Sequence, residues 1–230
     1  MASGWRDTMM KSFFPEIFWS KITKVGFDID GTLYDEFDFI SQVYEPIANE
    51  LSRVKTESPE EIYSSIISKW KEKGSTYNKI FEEALLDAEV QSDQRQEVIR
   101  NCLSIFREFK PNIKLTGFVE SLLSEAHQNF EIFIVTDGNP RLQKSKFDSL
   151  KLNRWFKEEN LGICGSYEEG FAKPSTKILG TLEVFASSVF DPNVVYFGDR
   201  EVDLQFASNA GFEFIQVKCM NPVVGTIKYD

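Results

Sequence analysis

The chain has 230 residues, 42% hydrophobic and 27% charged, which is long enough for one well-packed core and a small additional domain. Its formal net charge of -10 argues against nucleic acid or an anionic membrane surface as a partner, because both ligands attract a basic face. No apolar stretch reaches the roughly 18 residues that span a bilayer, and three widely spaced cysteines predict reduced, buried thiols in a cytoplasmic protein.

The first predicted elements are a packed aromatic arm at the N-terminus and a buried strand over residues 22–28. Residues 36–109 then show only helical periodicity, which predicts an all-helical domain of about four helices. Pro46 should interrupt or kink the first of these helices. The segment 58–61 (SPEE) predicts the capped start of the second helix, and the third is predicted over 76–88.

The remainder of the chain alternates between apolar strands and helices. Further strands are predicted over 130–135, 161–164, 194–197 and 212–217, and helices over 118–128, 141–150, 175–185 and 202–210. This alternation predicts a Rossmann-like α/β fold, in which a parallel sheet carries helices on both faces. The α/β core domain is expected to comprise residues 1–35 and 110–230, with the helical domain inserted after the first strand.

Polar side chains follow three of the predicted strands. Asp28 and Asp30 come directly after the first strand, and a cation, or a proton on one acid, would relieve their mutual repulsion. Thr136 follows the second strand and Asp199 a later one, with Asp203 one helical turn further on. Because parallel strands end at the same edge of a sheet, we expect these groups to share one cleft. Carboxylates without histidine or cysteine favour a hard cation such as Mg²⁺.

Groups suited to an anion occur at the same predicted edge. Lys173 can supply positive charge. The hydroxyl of Thr136 and the backbone N–H groups around Gly138 and Asn139, where the next helix begins, suit phosphate oxygens. The sequence therefore predicts a phosphate site beside the cation site.

Four motifs, taken in order, resemble those of the haloacid dehalogenase-like hydrolase superfamily. Residues 28–32 (DIDGT) match its first motif, DxDGT, and Thr136 matches the strand-end Ser or Thr of the second. Lys173 matches the third motif, and residues 198–203 (GDREVD) match the fourth, GDxxxD. Each motif alone is weak, but the ordered set is specific. The helical insertion resembles the helical cap of that superfamily.

The resemblance implies a role for each acid. Asp28 is the expected nucleophile, which forms an aspartyl-phosphate. Asp30 is expected to protonate the leaving alkoxide and then to activate water, while its backbone carbonyl meets the metal. Asp28 and Asp199 are expected to bind Mg²⁺, with Asp203 either a further ligand or an orienting neighbour. Lys173 would neutralise the phosphoryl group and restrain Asp28. The expected phosphate-binding residues are Thr136, Asp137, Gly138 and Lys173.

The activity implied is that of a Mg²⁺-dependent phosphatase acting on a small phosphorylated metabolite. Asp30 favours phosphoryl transfer over dehalogenation, because dehalogenases of the superfamily usually lack the second aspartate. Two alternatives stay open. A phosphomutase would return the phosphate to its substrate, which product analysis with a hexose 1-phosphate would reveal. A regulatory or binding module on the same fold would turn over no ester in a broad screen.

Overall fold

The computed structural model describes residues 9–75, 77–86 and 91–222. The chain divides into two compact units, one formed by Met1–Glu36 with Ile113–Asp230 and the other by Phe37–Asn112. The predicted helical domain, 36–109, falls almost entirely in the second unit, and its function as a cap stays a prediction. Within the described residues, no helix has the length and apolar character that crossing a membrane requires.

The first unit contains a six-stranded sheet with the spatial order β3-β2-β1-β4-β5-β6. Its strands β1 to β5 are parallel, and the short β6 pairs antiparallel with β5. The bounds in chain order are β1 (Lys24–Phe27), β2 (Glu131–Thr136), β3 (Leu161–Ile163), β4 (Val194–Gly198), β5 (Glu213–Lys218) and β6 (Asn221–Pro222). The predicted α/β fold with a parallel sheet is confirmed.

Eight α-helices lie in the described residues. In chain order they are α1 (Met9–Phe13), α2 (Glu36–Leu51), α3 (Pro59–Lys73), α4 (Ile80–Ala84), α5 (Ser92–Glu108), α6 (Gly117–Asn129), α7 (Pro140–Ser149) and α8 (Glu201–Ala210). All five predicted strands have counterparts whose bounds differ by a few residues. The helices predicted over 118–128, 141–150 and 202–210 correspond in the same way to α6, α7 and α8. Gly211, whose φ is 74°, follows the last residue of α8.

Aromatic side chains fill the core on both sides of the sheet, because successive residues of a strand point to opposite faces. On one face, Phe133 of β2 stacks beside Tyr196 of β4. On the other face, Phe27 of β1 stacks on Phe197 of β4. All four side chains are fully buried, so aromatic packing stabilises both faces of the sheet.

The helix predicted over residues 175–185 is not present. Two short 3₁₀-helices, Lys177–Thr181 and Glu183–Phe185, take its place. Gly180 weakens helical continuity, and Leu182 between the two segments is extended, with φ -94° and ψ 136°. Leu182 and Phe185 are both buried in the core, and Val184 packs against it.

The second unit is helical, as its periodicity predicts. The capping box at the start of α3 is present: the N–H of Glu61 donates to Ser58 Oγ at 3.2 Å, and the N–H of Ser58 donates to the Glu61 carboxylate at 2.9 Å. Pro46 lies inside α2 without ending it, since the buried Val43 and Ile47 hold the helix on either side. Of the helix predicted over 76–88, the five residues of α4 are helical and the described residues 77–79 and 85–86 are not; residues 76, 87 and 88 lie outside the described residues.

The N-terminal arm packs against the core through part of its aromatic set. Phe14 and Trp19 are buried, and the indole N–H of Trp19 donates to the Phe14 carbonyl at 2.9 Å. Phe18 is exposed. The cysteines carry free thiols, of which two are buried; the expectation of burial is wrong for Cys219, which follows β5 in a turn and is half-buried.

Candidate active site

The carboxyl edge of the sheet brings together the acids predicted from the strand ends. Asp28 follows β1 and Asp199 follows β4, and these two strands pair in parallel with Phe27 opposite Phe197. Asp203 lies in the first turn of α8. Asp28, Asp199 and Asp203 each offer a carboxylate oxygen, and the three oxygens lie within 4.8 Å of one another.

The loop after β1 depends on a glycine and on support from beyond β5. Gly31 has a φ of 72°, and a Cβ at this position would collide with the carboxylate of Asp199. The carbonyls of Gly31 and Thr32 accept backbone hydrogen bonds from Cys219 at 2.9 Å and Met220 at 2.8 Å. The glycine of the DxDGT motif therefore permits the close approach of the first and fourth motifs.

Lys173 lies between two of the acids. Its Nζ donates to Asp28 Oδ1 at 2.8 Å and also to Asp203 Oδ1, and all three side chains are buried. Burial by itself would lower the pKa of Lys173, but nearby charges, those of Asp28 and Asp203 included, raise it well above its usual value. The ammonium therefore stays charged and holds one oxygen of each carboxylate.

In the part of the chain that the structure describes, two buried carboxylate oxygens have no hydrogen-bond partner, Asp28 Oδ2 and Asp199 Oδ1. Burial raises the pKa of Asp28 to about 6, although Lys173 opposes this shift. Burial, followed by the charges of Asp28 and Asp203, raises the pKa of Asp199 to about 8. The clustered carboxylates of Asp28 and Asp199, whose charges repel one another, fit the oxygen-ligand set of a hard divalent cation.

Asp203 is engaged through both of its oxygens. Oδ1 accepts from Lys173, and Oδ2 accepts from the backbone N–H of Arg200 at 3.1 Å. The sequence left two roles open for Asp203, that of a metal ligand and that of an orienting neighbour. These contacts suit the orienting role, because they join Lys173 to the start of α8. Direct ligation of a metal by Asp203 stays a prediction.

Asp30 is not part of the cluster of three acids, and it accepts hydrogen bonds from a different set of donors. Its Oδ1 accepts from the hydroxyl of Tyr34 and from Lys146 Nζ at 2.6 Å, and its Oδ2 accepts from Gln143 Nε2 at 2.8 Å. Burial would raise the pKa of Asp30, but the charge of Lys146 and the hydrogen bonds from Lys146, Tyr34 and Gln143 lower it overall. Asp30 therefore rests as a carboxylate. A metal contact of Asp30 through its backbone carbonyl stays a prediction.

The predicted phosphate-binding residues surround the end of β2. Thr136 is buried, and its hydroxyl lies 3.5 Å from the Asp137 carbonyl. The carboxylate of Asp137 accepts from the backbone N–H of Lys173 at 3.0 Å, and so fixes the segment that carries the lysine. Gly138 has a φ of 117°, and Asn139 caps α7 through its side chain. Binding of phosphate by these groups stays a prediction.

Four residues near the acids were missed in the sequence, and one of them is Tyr34, whose hydroxyl donates to Asp30 Oδ1. Gln143 and Lys146 contact Asp30, and a usable signal was present, since both interrupt the apolar face of α7. Arg200 brings a second positive charge, with its Nε 3.7 Å from Asp199 Oδ1. Arg200 occupies one of the unspecified x positions of the GDxxxD motif, so the motif gives no reason to select it.

Comparison with known proteins agrees with the predicted fold and family. The haloacid dehalogenase-like hydrolase family matches residues 25–217. No curated protein matches the chain. Among solved structures, the candidate HAD hydrolase YfnB from Bacillus subtilis, bound to magnesium, has a TM-score of 0.60 and 20% identity, covering 90% of this chain and 92% of that one.

Two further structures have the same fold, with similar TM-scores and sequence identities. A candidate β-phosphoglucomutase from Thermotoga maritima has a TM-score of 0.58 and 19% identity, covering 91% of this chain and 88% of that one. A candidate phosphoglycolate phosphatase from Lactobacillus plantarum has a TM-score of 0.58 and 18% identity, covering 91% and 93%. The family match spans most of the chain, so the protein belongs to the haloacid dehalogenase-like hydrolases. It is a hydrolase with the α/β core of that family.

Proposed function

We propose that the chain is a Mg²⁺-dependent phosphatase that hydrolyses a small phosphorylated metabolite through an aspartyl-phosphate on Asp28. The observation that carries this proposal is Asp30, whose carboxylate is fixed by three side-chain donors two positions after the nucleophile. Release of an alkoxide requires a proton donor at this position, whereas release of a halide does not. The proposal therefore favours phosphate esters over halogenated acids.

The first half-reaction uses the unpartnered oxygen of Asp28. Oδ1 is held by Lys173, which leaves Oδ2 to attack phosphorus. The Oδ2–P bond forms as the bond from phosphorus to the leaving oxygen breaks, and Asp30 passes a proton to that oxygen. Asp30 rests as a carboxylate, so this proton must arrive on substrate binding. Phosphate monoesters can bring it, because their second pKa is about 6.

The second half-reaction returns Asp28 to its resting state. Asp30, again a carboxylate, takes a proton from water as the water oxygen attacks phosphorus; the Oδ2–P bond then breaks, and the proton leaves Asp30 with the phosphate product. The carboxylates of Asp28 and Asp199, with the backbone carbonyl of Asp30, are proposed to hold the metal. Bound Mg²⁺ would offset the repulsion between an anionic nucleophile and an anionic ester.

A panel of phosphate esters tests this function. Inorganic phosphate release is measured with Mg²⁺ for nucleoside monophosphates, phosphoglycolate, sugar phosphates and pyrophosphate. We expect turnover of at least one ester, loss of activity with EDTA and recovery with excess Mg²⁺. Isomerisation of a hexose 1-phosphate without phosphate release would instead indicate a phosphomutase. Absence of turnover across the panel would support a binding module.

Binding of Mg²⁺ is expected to raise the melting temperature, and to raise it more at a pH of about 8 than at about 5.5. The folded-state pKa values of Asp28 and Asp199, about 6 and about 8, exceed the usual value of 3.8. The metal-free fold is therefore destabilised as pH rises above about 4, because both acids are already ionised when unfolded. A cation binds the ionised acids, so its stabilising effect grows over the same range.

The variant Asp199→Asn serves as the control for this measurement. It removes the acid with the higher pKa, and we expect a smaller fall in metal-free stability with pH and a loss of most of the Mg²⁺ effect. Differential scanning calorimetry with and without EDTA gives both quantities. A Mg²⁺-induced shift that is the same at both pH values, or unchanged in the variant, would argue against a metal site at Asp199.

A further inference from the structure

Two polar side chains interrupt the buried face of α7. Gln143 and Lys146 are buried together with Leu142 and Phe147 on the same helix. A buried ammonium is unfavourable unless it is paired and hydrogen-bonded. Lys146 Nζ is paired with Asp30, with the two side chains 4% and 12% exposed. The contact therefore explains why a lysine is tolerated on this face.

The donors around Asp30 differ between its two oxygens. Oδ1 accepts from Tyr34 and Lys146, whereas Oδ2 accepts from Gln143. A carboxylate oxygen offers two lone-pair sites. Oδ1 thus has both sites used, and Oδ2 keeps one site for a further partner. The contacts also fix the rotation of the carboxylate, because they come from different segments on either side of it.

Gln143 also links Asp30 to the end of β2. Its Nε2 donates to the Asp137 carbonyl at 2.7 Å as well as to Asp30 Oδ2 at 2.8 Å. A Cβ on Gly138 would lie 2.8 Å from the same nitrogen, so the amide packs closely against the loop. The position of this amide is therefore set by the segment that follows Thr136.

We infer that Gln143 and Lys146 are positioning residues, which orient the carboxylate of Asp30 so that Oδ2 exchanges the proton with the leaving oxygen and with water. This inference rests on the proposed phosphatase function. It assigns the two residues no contact with the substrate. Their effect is expected to depend on how strongly the leaving group needs a proton.

The same helix provides a matched control. Lys144 is two residues from Lys146, but its side chain is 37% exposed and pairs with Asp148 at 3.1 Å. It also pairs with Glu158 across the surface. Exposed pairs of this kind contribute little to stability. The variant Lys144→Met removes a lysine from α7 without affecting the contacts of Asp30.

The test compares two esters of similar size, p-nitrophenyl phosphate and p-nitrobenzyl phosphate. The phenolate leaves without a proton, whereas the benzyl alkoxide needs one. Because kcat/KM reports the steps up to formation of the aspartyl-phosphate, the ratio of the aryl to the benzyl value measures the contribution of Asp30. We expect Gln143→Met and Lys146→Met to raise this ratio about tenfold or more, Asp30→Asn to set its upper limit, and Lys144→Met to leave it unchanged.

The direction of the change separates orientation from charge. Loss of the Lys146 charge alone would make Asp30 easier to protonate, which would favour the benzyl ester and lower the ratio. A lower ratio, an unchanged ratio or an equal loss for both esters would overturn the inference. If Lys146→Met does not fold by circular dichroism, the uncharged change Gln143→Met decides. A wild-type protein that hydrolyses neither ester would overturn the proposed function as well, whereas active wild type with unchanged ratios overturns only the positioning role.

Discussion

Replacement of Asp28 by asparagine is expected to lower kcat for p-nitrophenyl phosphate by at least about 10⁴-fold. An amide cannot form the bond to phosphorus that Asp28 Oδ2 is proposed to form. We expect the fold to survive, because asparagine has nearly the same shape and Lys173 keeps its contact with Asp203. Activity and the far-UV circular dichroism spectrum of Asp28→Asn are measured on the same preparation.

A surface aspartate gives the control for this change. The side chain of Asp148 on α7 is 58% exposed and pairs with the exposed Lys144 at 3.1 Å. Asp148→Asn should therefore retain wild-type turnover. Near-native activity in Asp28→Asn would remove Asp28 as the nucleophile. Equal loss in both variants would point to damage by the substitution itself. We expect both variants to keep the fold and only Asp28→Asn to lose turnover.

Replacement of Lys173 by methionine is expected to lower the free energy of unfolding by about 3–5 kcal/mol and to abolish turnover. The side chain is fully buried and holds Asp28 at 2.8 Å together with Asp203. Its loss leaves two buried carboxylates without their shared cation. Urea unfolding at neutral pH measures the loss, with Lys157→Met as the control, since that side chain is 72% exposed and 3.7 Å from its partner.

A double variant sharpens this prediction. Adding Asp203→Asn to Lys173→Met removes one of the uncompensated charges, so part of the lost stability should return while turnover stays absent. Recovery of stability without activity would separate the structural role of the lysine from its proposed role toward the phosphoryl group. A single variant as stable as wild type would contradict the buried ion pair as described.

The convergence of the acids could be predicted from sequence, whereas the contacts of Asp30 could not. Asp28 and Asp199 follow apolar strands, and parallel pairing alone brings such strand ends to one edge. The polar break in the apolar face of α7 marks Lys146 as unusual, but its partner Asp30 lies 116 positions away, and no local pattern identifies that partner. The prediction for 175–185 failed for a related reason, since apolar spacing does not reveal that the extended Leu182 breaks the helix.

The backbone bonds from Cys219 and Met220 to the loop at Gly31 and Thr32 also bear on the order in which the protein matures. Ribosomal synthesis proceeds from the N-terminus, and domains fold as their segments emerge. The loop after β1 is synthesised before the other strands of the sheet, yet its backbone support comes from the turn that follows β5. A nascent chain therefore carries Asp28 and Asp30 long before the segment that supports their loop has been synthesised.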